Sequence, residues 1–129
     1  QLMLCSTFQH PFYPYMGAET RKPHIVNVPL AAGSDGAVFR NAVAERWLPA
    51  LEAFKPEMIF ISAGFDAHWE DDMSSIGLVE ADYIWVTEQI KRIAEHHAQA
   101  RIVSVLEGGY ELHALGRSAA AHIKVLSGL

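Results

Sequence analysis

Two stretches of the chain place reactive side chains directly after apolar segments. Residues 58–67, MIFISAGFDA, begin as an apolar run and end in a small turn that carries Asp66. Residues 101–106, RIVSVL, run through a Glu-Gly-Gly turn into Tyr110. In open α/β sheets, ligands bind beyond the carboxyl ends of the strands. A carboxylate there can ligate a divalent metal ion or act as a base, and a tyrosine hydroxyl can donate to a developing oxyanion.

Each of these residues also has a structural interpretation. Asp66 is as well suited to capping a turn as to chemistry, and a buried tyrosine is core material more often than not. A zinc site takes roughly three or four protein ligands, and the spacings of short zinc motifs are absent. His68 follows Asp66 at a spacing that fits either chelation or a turn contact. The acidic run of residues 70–72 is typical of a solvated loop.

Along the chain, short apolar runs alternate with segments whose apolar residues recur at helical spacing. Strands are predicted at residues 2–6, 25–30, 58–62 and 102–106, and helices at residues 34–54, 80–97 and 112–126. Pro49 should kink or restart the first helix, because proline lacks a backbone donor. This order predicts an α/β fold with a mostly parallel sheet and flanking helices, in a three-layer α/β/α arrangement.

Composition narrows the class of protein. The 129 residues suit one domain, and the net charge of −5, with scattered Lys and Arg, argues against nucleic-acid binding. No apolar run approaches the about 20 residues of a membrane span. Cys5 is the only cysteine, which excludes an intramolecular disulfide and favours a reducing, cytoplasmic setting. Ser62 lies outside a nucleophile elbow, so a serine hydrolase is disfavoured.

Four segments together resemble a known family. Residues 62–68, SAGFDAH, and 106–110, LEGGY, resemble the two C-terminal motifs of the histone deacetylase superfamily. The similarity is to its class II-like bacterial branch, which includes acetylpolyamine amidohydrolases. Residues 9–14, QHPFYP, and 26–30, VNVPL, resemble the aromatic loop and a strand of the same family. The resemblance implies an arginase/deacetylase-like fold and hydrolysis of acetyl-amides, from acetylated lysine or polyamines, with one Zn²⁺ ion.

The resemblance also assigns roles by position. Asp66 matches the third zinc ligand, and Tyr110 matches the tyrosine that polarises the substrate carbonyl and stabilises the oxyanion. Ser6 and Thr7 match a structural site for a monovalent cation such as K⁺. Four further positions match the substrate tunnel. Tyr13 matches an aromatic wall and Met73 its rim, and Gly108 and Gly109 match positions where the backbone approaches the substrate.

Other family features are not found in these residues. The Asp-x-His pair that supplies two zinc ligands, and the His-His general base, are expected upstream of Leu2. Phe8, residues 14–17 and Asp72 depart from the common pattern. We therefore expect residues 1–129 to be the C-terminal portion of one catalytic domain, inactive alone and prone to self-association unless its missing half or a partner covers it. The alternative is a non-catalytic α/β module that binds a ligand or partner.

Overall fold

The computed structural model describes residues 1–129 and has an α/β architecture. Four strands run parallel in two pairs, β1 with β2 and β3 with β4. Their bounds are Leu4–Gln9, Ile25–Leu30, Ile59–Ala63 and Ile102–Leu106. The predicted α/β class with parallel strands and flanking helices is confirmed. The first strand begins two residues later than predicted and continues to Gln9.

The two strand pairs form separate sheets in these residues. In the first, Leu4 is level with Ile25 and Gln9 with Leu30. In the second, Ile59 is level with Ile102. The segment that follows Asp66 links the two sheets through backbone hydrogen bonds to the loop after β2. For example, the Gly33 N–H donates to the Ser75 carbonyl at 2.7 Å.

Four α-helices accompany the strands, named α1 to α4 in chain order. They span Gly36–Ala42, Leu48–Phe54, Glu80–His97 and Leu112–Ser127. A π-helical turn, Val43–Trp47, separates α1 from α2, and the Leu48 N–H donates to the carbonyl of Val43, five residues back. Pro49 then occupies the first turn of α2, where its missing donor costs little. No helix in the structure is both long and apolar enough to cross a bilayer.

The core lies where α1, α3 and the ends of the strands meet. Its buried side chains come from each of these elements and include Leu30, Phe39, Val43, Phe65 and Tyr83. Phe65 and Tyr83 pack edge to face, with ring centroids 5.0 Å apart. Such a pair adds about 1 kcal/mol beyond the area it buries. This packing fixes the chain immediately before Asp66.

The β3–β4 sheet is covered on one face only. Its inner face packs towards the helices, where the Ser104 hydroxyl lies 2.8 Å from His122 of α4. On the outer face, Phe60 is 70% exposed, and its parallel neighbour Val103 and the nearby Val105 are also exposed. We call Phe60, Val103 and Val105 the outer apolar face. Exposed apolar patches are typical of interaction surfaces in folded proteins.

Candidate functional site

Asp66 lies at the carboxyl end of β3 with its carboxylate free of protein partners. The residue is half-buried. None of the side-chain hydrogen bonds in the structure is accepted by its carboxylate; only its backbone carbonyl accepts one, from the Ser74 hydroxyl at 3.1 Å. The side chain therefore caps no turn. A half-buried carboxylate without a donor is available to a ligand, because burial without compensation is costly.

The turns after β3 and β4 are joined side by side. The Glu107 N–H donates to the Ala63 carbonyl at 2.9 Å, and the Phe65 N–H donates to the Gly108 carbonyl at 2.8 Å. A Cβ atom on Gly108 would lie 2.6 Å from Oδ1 of Asp66. Only glycine leaves room for that carboxylate. The backbone beyond β4 therefore forms one wall of the space around Asp66.

Tyr110 is not core material. Its side chain is 59% exposed, and it follows Gly109, whose φ of +139° is a conformation that favours glycine. The backbone of Tyr110 is nevertheless held firmly. Its N–H donates to Oδ2 of Asp71 at 2.7 Å. Tyr110 therefore has a fixed backbone and a hydroxyl that solvent or a ligand can reach.

Asp71 is the site residue that the sequence interpretation missed. It is only 4% exposed, although the acidic run of residues 70–72 predicts a solvated loop. Burial alone raises the pKa of its carboxyl, but backbone N–H donors hold that pKa below its ordinary value of 3.8. Its neighbour Asp72 is exposed, as the pattern predicts. Polarity and periodicity do not separate the two aspartates, because both follow a turn in a polar stretch.

His68 belongs to an ion-pair network and shares no hydrogen bond with Asp66. Its ring is fully buried, and Nδ1 accepts the N–H of Glu70 at 3.1 Å. Nε2 therefore carries the proton and faces Oε2 of Glu80 at 3.2 Å. Arg117 of α4 pairs with both glutamates, and its hydrogen bond to Glu80 is the main reason why the pKa of Glu80 falls to about 2. This network ties the Asp66 loop to α3 and α4.

The remaining predicted site residues lie in three places. Tyr13, in the loop between β1 and β2, is 80% exposed, and Met73 is 47% exposed on the loop after Asp66. Ser6 and Thr7 lie within β1, half-buried and level with Asn27 and Val28 of β2. The roles of these four residues stay predictions.

Two further buried groups were not predicted as site features. The hydroxyl of Tyr83 is buried without a hydrogen-bond partner. Burial, followed by the charges of Asp66 and Asp71, raises the pKa of this phenol above its ordinary range. Cys5 is also desolvated, and burial raises its pKa to about 11. It is therefore a protonated thiol at neutral pH, which is expected of a packed and not a reactive cysteine.

The residues around Asp66 do not form a zinc site by themselves. Zinc in proteins takes roughly three or four nitrogen, sulfur or oxygen ligands. Two groups in the chain bring three such atoms together, His68 with Glu70 and Glu80, and Glu52 with the paired histidines at the end of α3. Neither group includes Asp66. Asp66 fits a zinc ion as one oxygen ligand, and the other ligands would have to come from outside these residues.

The comparisons with known proteins agree on one family. The profile of the histone deacetylase domain matches residues 1–126. Type-2 histone deacetylase 1 of Dictyostelium discoideum is 41% identical over 106 residues, which cover 82% of this chain and 7% of that protein. The histone deacetylase-like amidohydrolase of Pseudomonas aeruginosa is 33% identical over 114 residues, covering 88% of this chain and 30% of that protein.

A similar solved structure indicates the same family. The crystal structure of the HDA15 HD domain superposes with a TM-score of 0.89 at 32% identity, and the match covers 98% of this chain and 38% of that one. The chain thus spans well under half the length of the proteins it matches. Because the profile covers residues 1–126, nearly every residue of the chain, the chain belongs to the histone deacetylase family.

Proposed function

We propose that residues 1–129 form the C-terminal portion of a zinc-dependent deacetylase domain that hydrolyses acetyl-amides of lysine or polyamines. The observation that carries the proposal is the Asp66 carboxylate. It is half-buried at the end of β3, accepts no hydrogen bond from the protein and lies against Gly108. Family membership supports a deacetylase-type activity for the whole protein. We propose a cytoplasmic setting and a class II-like bacterial type of enzyme.

In this proposal Asp66 supplies one charged oxygen ligand to Zn²⁺, and further ligands come from polypeptide outside these residues. The metal ion, when bound, polarises the amide carbonyl and lowers the pKa of the attacking water. Asp66 fixes the position of the ion relative to β3. Its freedom from internal hydrogen bonds leaves its full charge for the ion.

Tyr110 contributes the second part of the proposed chemistry. Its exposed hydroxyl donates a hydrogen bond to the oxygen that becomes negatively charged as the acetyl carbon turns tetrahedral. Gly108 and Gly109 let the substrate approach the backbone of the β4 turn. We propose Tyr13 as an aromatic wall of the substrate tunnel and Met73 at its rim; both side chains are exposed on loops. We propose Ser6 and Thr7 as ligands of a K⁺ ion that stabilises β1.

One observation favours a second candidate, a non-catalytic module that binds a ligand or partner. No group of three potential metal ligands within the chain includes Asp66. Zinc titration distinguishes the two candidates. Submicromolar binding that requires Asp66 supports an assembled enzyme site, whereas a complete domain that binds no zinc supports the module.

The decisive experiment measures deacetylation of a fluorogenic acetyl-lysine peptide and of an acetylpolyamine, with and without Zn²⁺. We compare this chain alone with the chain combined with the rest of its domain. The chain alone should be inactive, and the complete domain should show turnover that requires zinc. Asp66→Asn should abolish both turnover and zinc binding. Tyr110→Phe should lower kcat by about 10²- to 10³-fold and leave zinc binding unchanged.

Two results would contradict the proposal. The first is a complete domain in which Asp66→Asn retains wild-type zinc affinity and turnover. The second is a Tyr110→Phe variant with undiminished kcat. The exposed Asp72→Asn serves as a charge-matched control, because it removes a carboxylate from the same loop without touching Asp66 or Tyr110.

A further inference from the structure

One buried carboxylate joins the loop that carries Asp66 to the loop that carries Tyr110. Oδ2 of Asp71 accepts the N–H groups of Tyr110 at 2.7 Å and Glu111 at 3.0 Å. Its other oxygen, Oδ1, accepts the N–H of Met73 at 2.8 Å. All three donors are backbone groups, and hydrogen bonds to an ionised acceptor are about twice as strong as neutral ones. A single side chain therefore connects the loop after β3 to the loop after β4, which are far apart in the sequence.

We propose that Asp71 is a positioning residue that orients Tyr110 for its role in deacetylation. The inference rests on the proposed function of Tyr110. It goes beyond that function, because it assigns a role to a residue that touches neither metal nor substrate.

The orientation of Tyr110 has few other determinants. The two glycines that precede it restrict the backbone little, and Gly109 already adopts a positive φ. The tyrosine side chain is mostly exposed, so packing does not hold it either. Two consecutive N–H groups bound to one oxygen fix the peptide planes on both sides of the Tyr110 Cα. They thereby fix the direction in which the side chain leaves the backbone.

The same contact sets the spacing between Tyr110 and Asp66. Asp66 and Asp71 belong to one short loop, whose far side is closed by the hydrogen bond from Met73 to Asp71. The loop is also held through buried His68 and Glu80. A displacement of Asp71 would therefore move the hydroxyl of Tyr110 relative to the carboxylate of Asp66. Misplacement of this kind is costly in catalysis, because reacting groups act only in a narrow range of geometry.

Two nuclear magnetic resonance measurements on the complete domain test the contact. In the wild-type protein, a scalar coupling should be detectable across the hydrogen bond from the Tyr110 amide nitrogen to the Asp71 carboxyl carbon. In Asp71→Ala, the amides of Tyr110 and Glu111 should exchange with solvent roughly 10- to 100-fold faster. Amides within β3 and β4 should keep their wild-type rates, and so should every amide in the matched variant Asp72→Ala.

A double-mutant cycle on the complete domain tests the role. Asp71→Ala should lower kcat by at least tenfold, with little change in KM or zinc affinity. In a Tyr110→Phe background the same substitution should cost almost nothing, because the hydroxyl it positions is already gone. A merely structural Asp71 would lower kcat by the same factor in both backgrounds.

The outcomes separate this inference from the proposed function. No coupling in the wild-type complete domain, or equal amide exchange in the Asp71→Ala and Asp72→Ala variants of that domain, overturns the positioning role whether or not the domain is active. Additive losses in the cycle overturn it as well. Undiminished turnover in Tyr110→Phe overturns the proposed function instead, and the magnetic resonance results then describe a structural contact only. If Asp71→Ala fails to fold, the wild-type coupling still decides whether the contact exists.

Discussion

Replacing His122 by alanine should destabilise the protein substantially, because this buried imidazole links three elements. Its Nδ1 lies 2.8 Å from the Thr87 hydroxyl of α3, and its Nε2 lies 2.8 Å from the Ser104 hydroxyl of β4. Thr87 donates its own proton to the Tyr83 carbonyl at 2.6 Å. Nδ1 of His122 therefore carries the hydrogen and Nε2 accepts from Ser104, so the neutral ring satisfies both neighbours.

The magnitude follows from the contacts that are lost. Each of the two neutral hydrogen bonds contributes about 1 kcal/mol to folding. The edge-to-face contact with Phe65, at a centroid distance of 5.8 Å, contributes about 1 kcal/mol more. We expect His122→Ala to lower the free energy of unfolding by about 3 kcal/mol, a large part of the about 5–15 kcal/mol of a typical domain.

The pH dependence gives an independent signature. Burial lowers the pKa of the His122 imidazole below its ordinary value of 6.5. The unfolded chain therefore binds a proton at higher pH than the folded chain does. The stability contributed by the neutral ring is present above pH 6.5 and is lost as the pH falls towards the lowered pKa. His122→Ala should flatten this part of the stability profile.

Urea denaturation followed by circular dichroism measures both effects. The control is His113→Ala on the same helix, whose side chain is 89% exposed. That variant should remain within about 0.5 kcal/mol of wild type. The reasoning would be refuted if the His122 variant lost no more stability than the His113 variant, or if it kept the wild-type slope of stability below pH 6.5.

Three other predictions concern the site and its supports. Gly108→Ala should weaken zinc binding by the complete domain at least tenfold, because the new methyl group displaces the Asp66 carboxylate. The control Gly116→Ala, whose methyl group meets no atom within 4 Å, should keep the wild-type zinc affinity. Equal zinc affinities of the two variants would contradict the prediction. Phe60→Lys should reduce self-association of the isolated chain in analytical ultracentrifugation. A wild-type chain that is already monomeric would show that the outer apolar face does not drive association. The hydrogen bond from Arg117 lowers the pKa of Glu80 from 4.5 to about 2. The folding stability that ionised Glu80 contributes is therefore complete above pH 4.5 and is lost as the pH falls through 2. Acid denaturation of Glu80→Gln should show a flatter dependence of stability on pH in that window.

The regular elements were largely predictable from the sequence because local patterns determine them. The helix at Glu80–His97 and the strand at Ile102–Leu106 have the predicted bounds. The restart at Pro49 was also expected from the chemistry of proline, although the π-helical turn before it was not. Val43 at the start of that turn is fully buried.

The contacts between distant residues were not predictable in the same way. Periodicity cannot show that Asp71 is buried and Asp72 exposed, because both belong to one polar run. Nor does it show that β1–β2 and β3–β4 form separate sheets, since strand order depends on long-range pairing. The motifs around Asp66 and Tyr110 indicated a family, but the carboxylate that joins their loops became visible only in three dimensions.

The outer apolar face also has a consequence for how the protein is made. The two strands that form it are separated by one helix, so they can pair soon after α3 has formed. Chains leave the ribosome N-terminus first, so a covering segment that precedes β3 would be ready when the strands emerge. A covering segment made later, or added to purified chain, would meet Phe60 and Val105 after they had been exposed to solvent. Co-expression, and not mixing of purified pieces, is therefore the preparation in which reconstitution of the complete domain should be attempted.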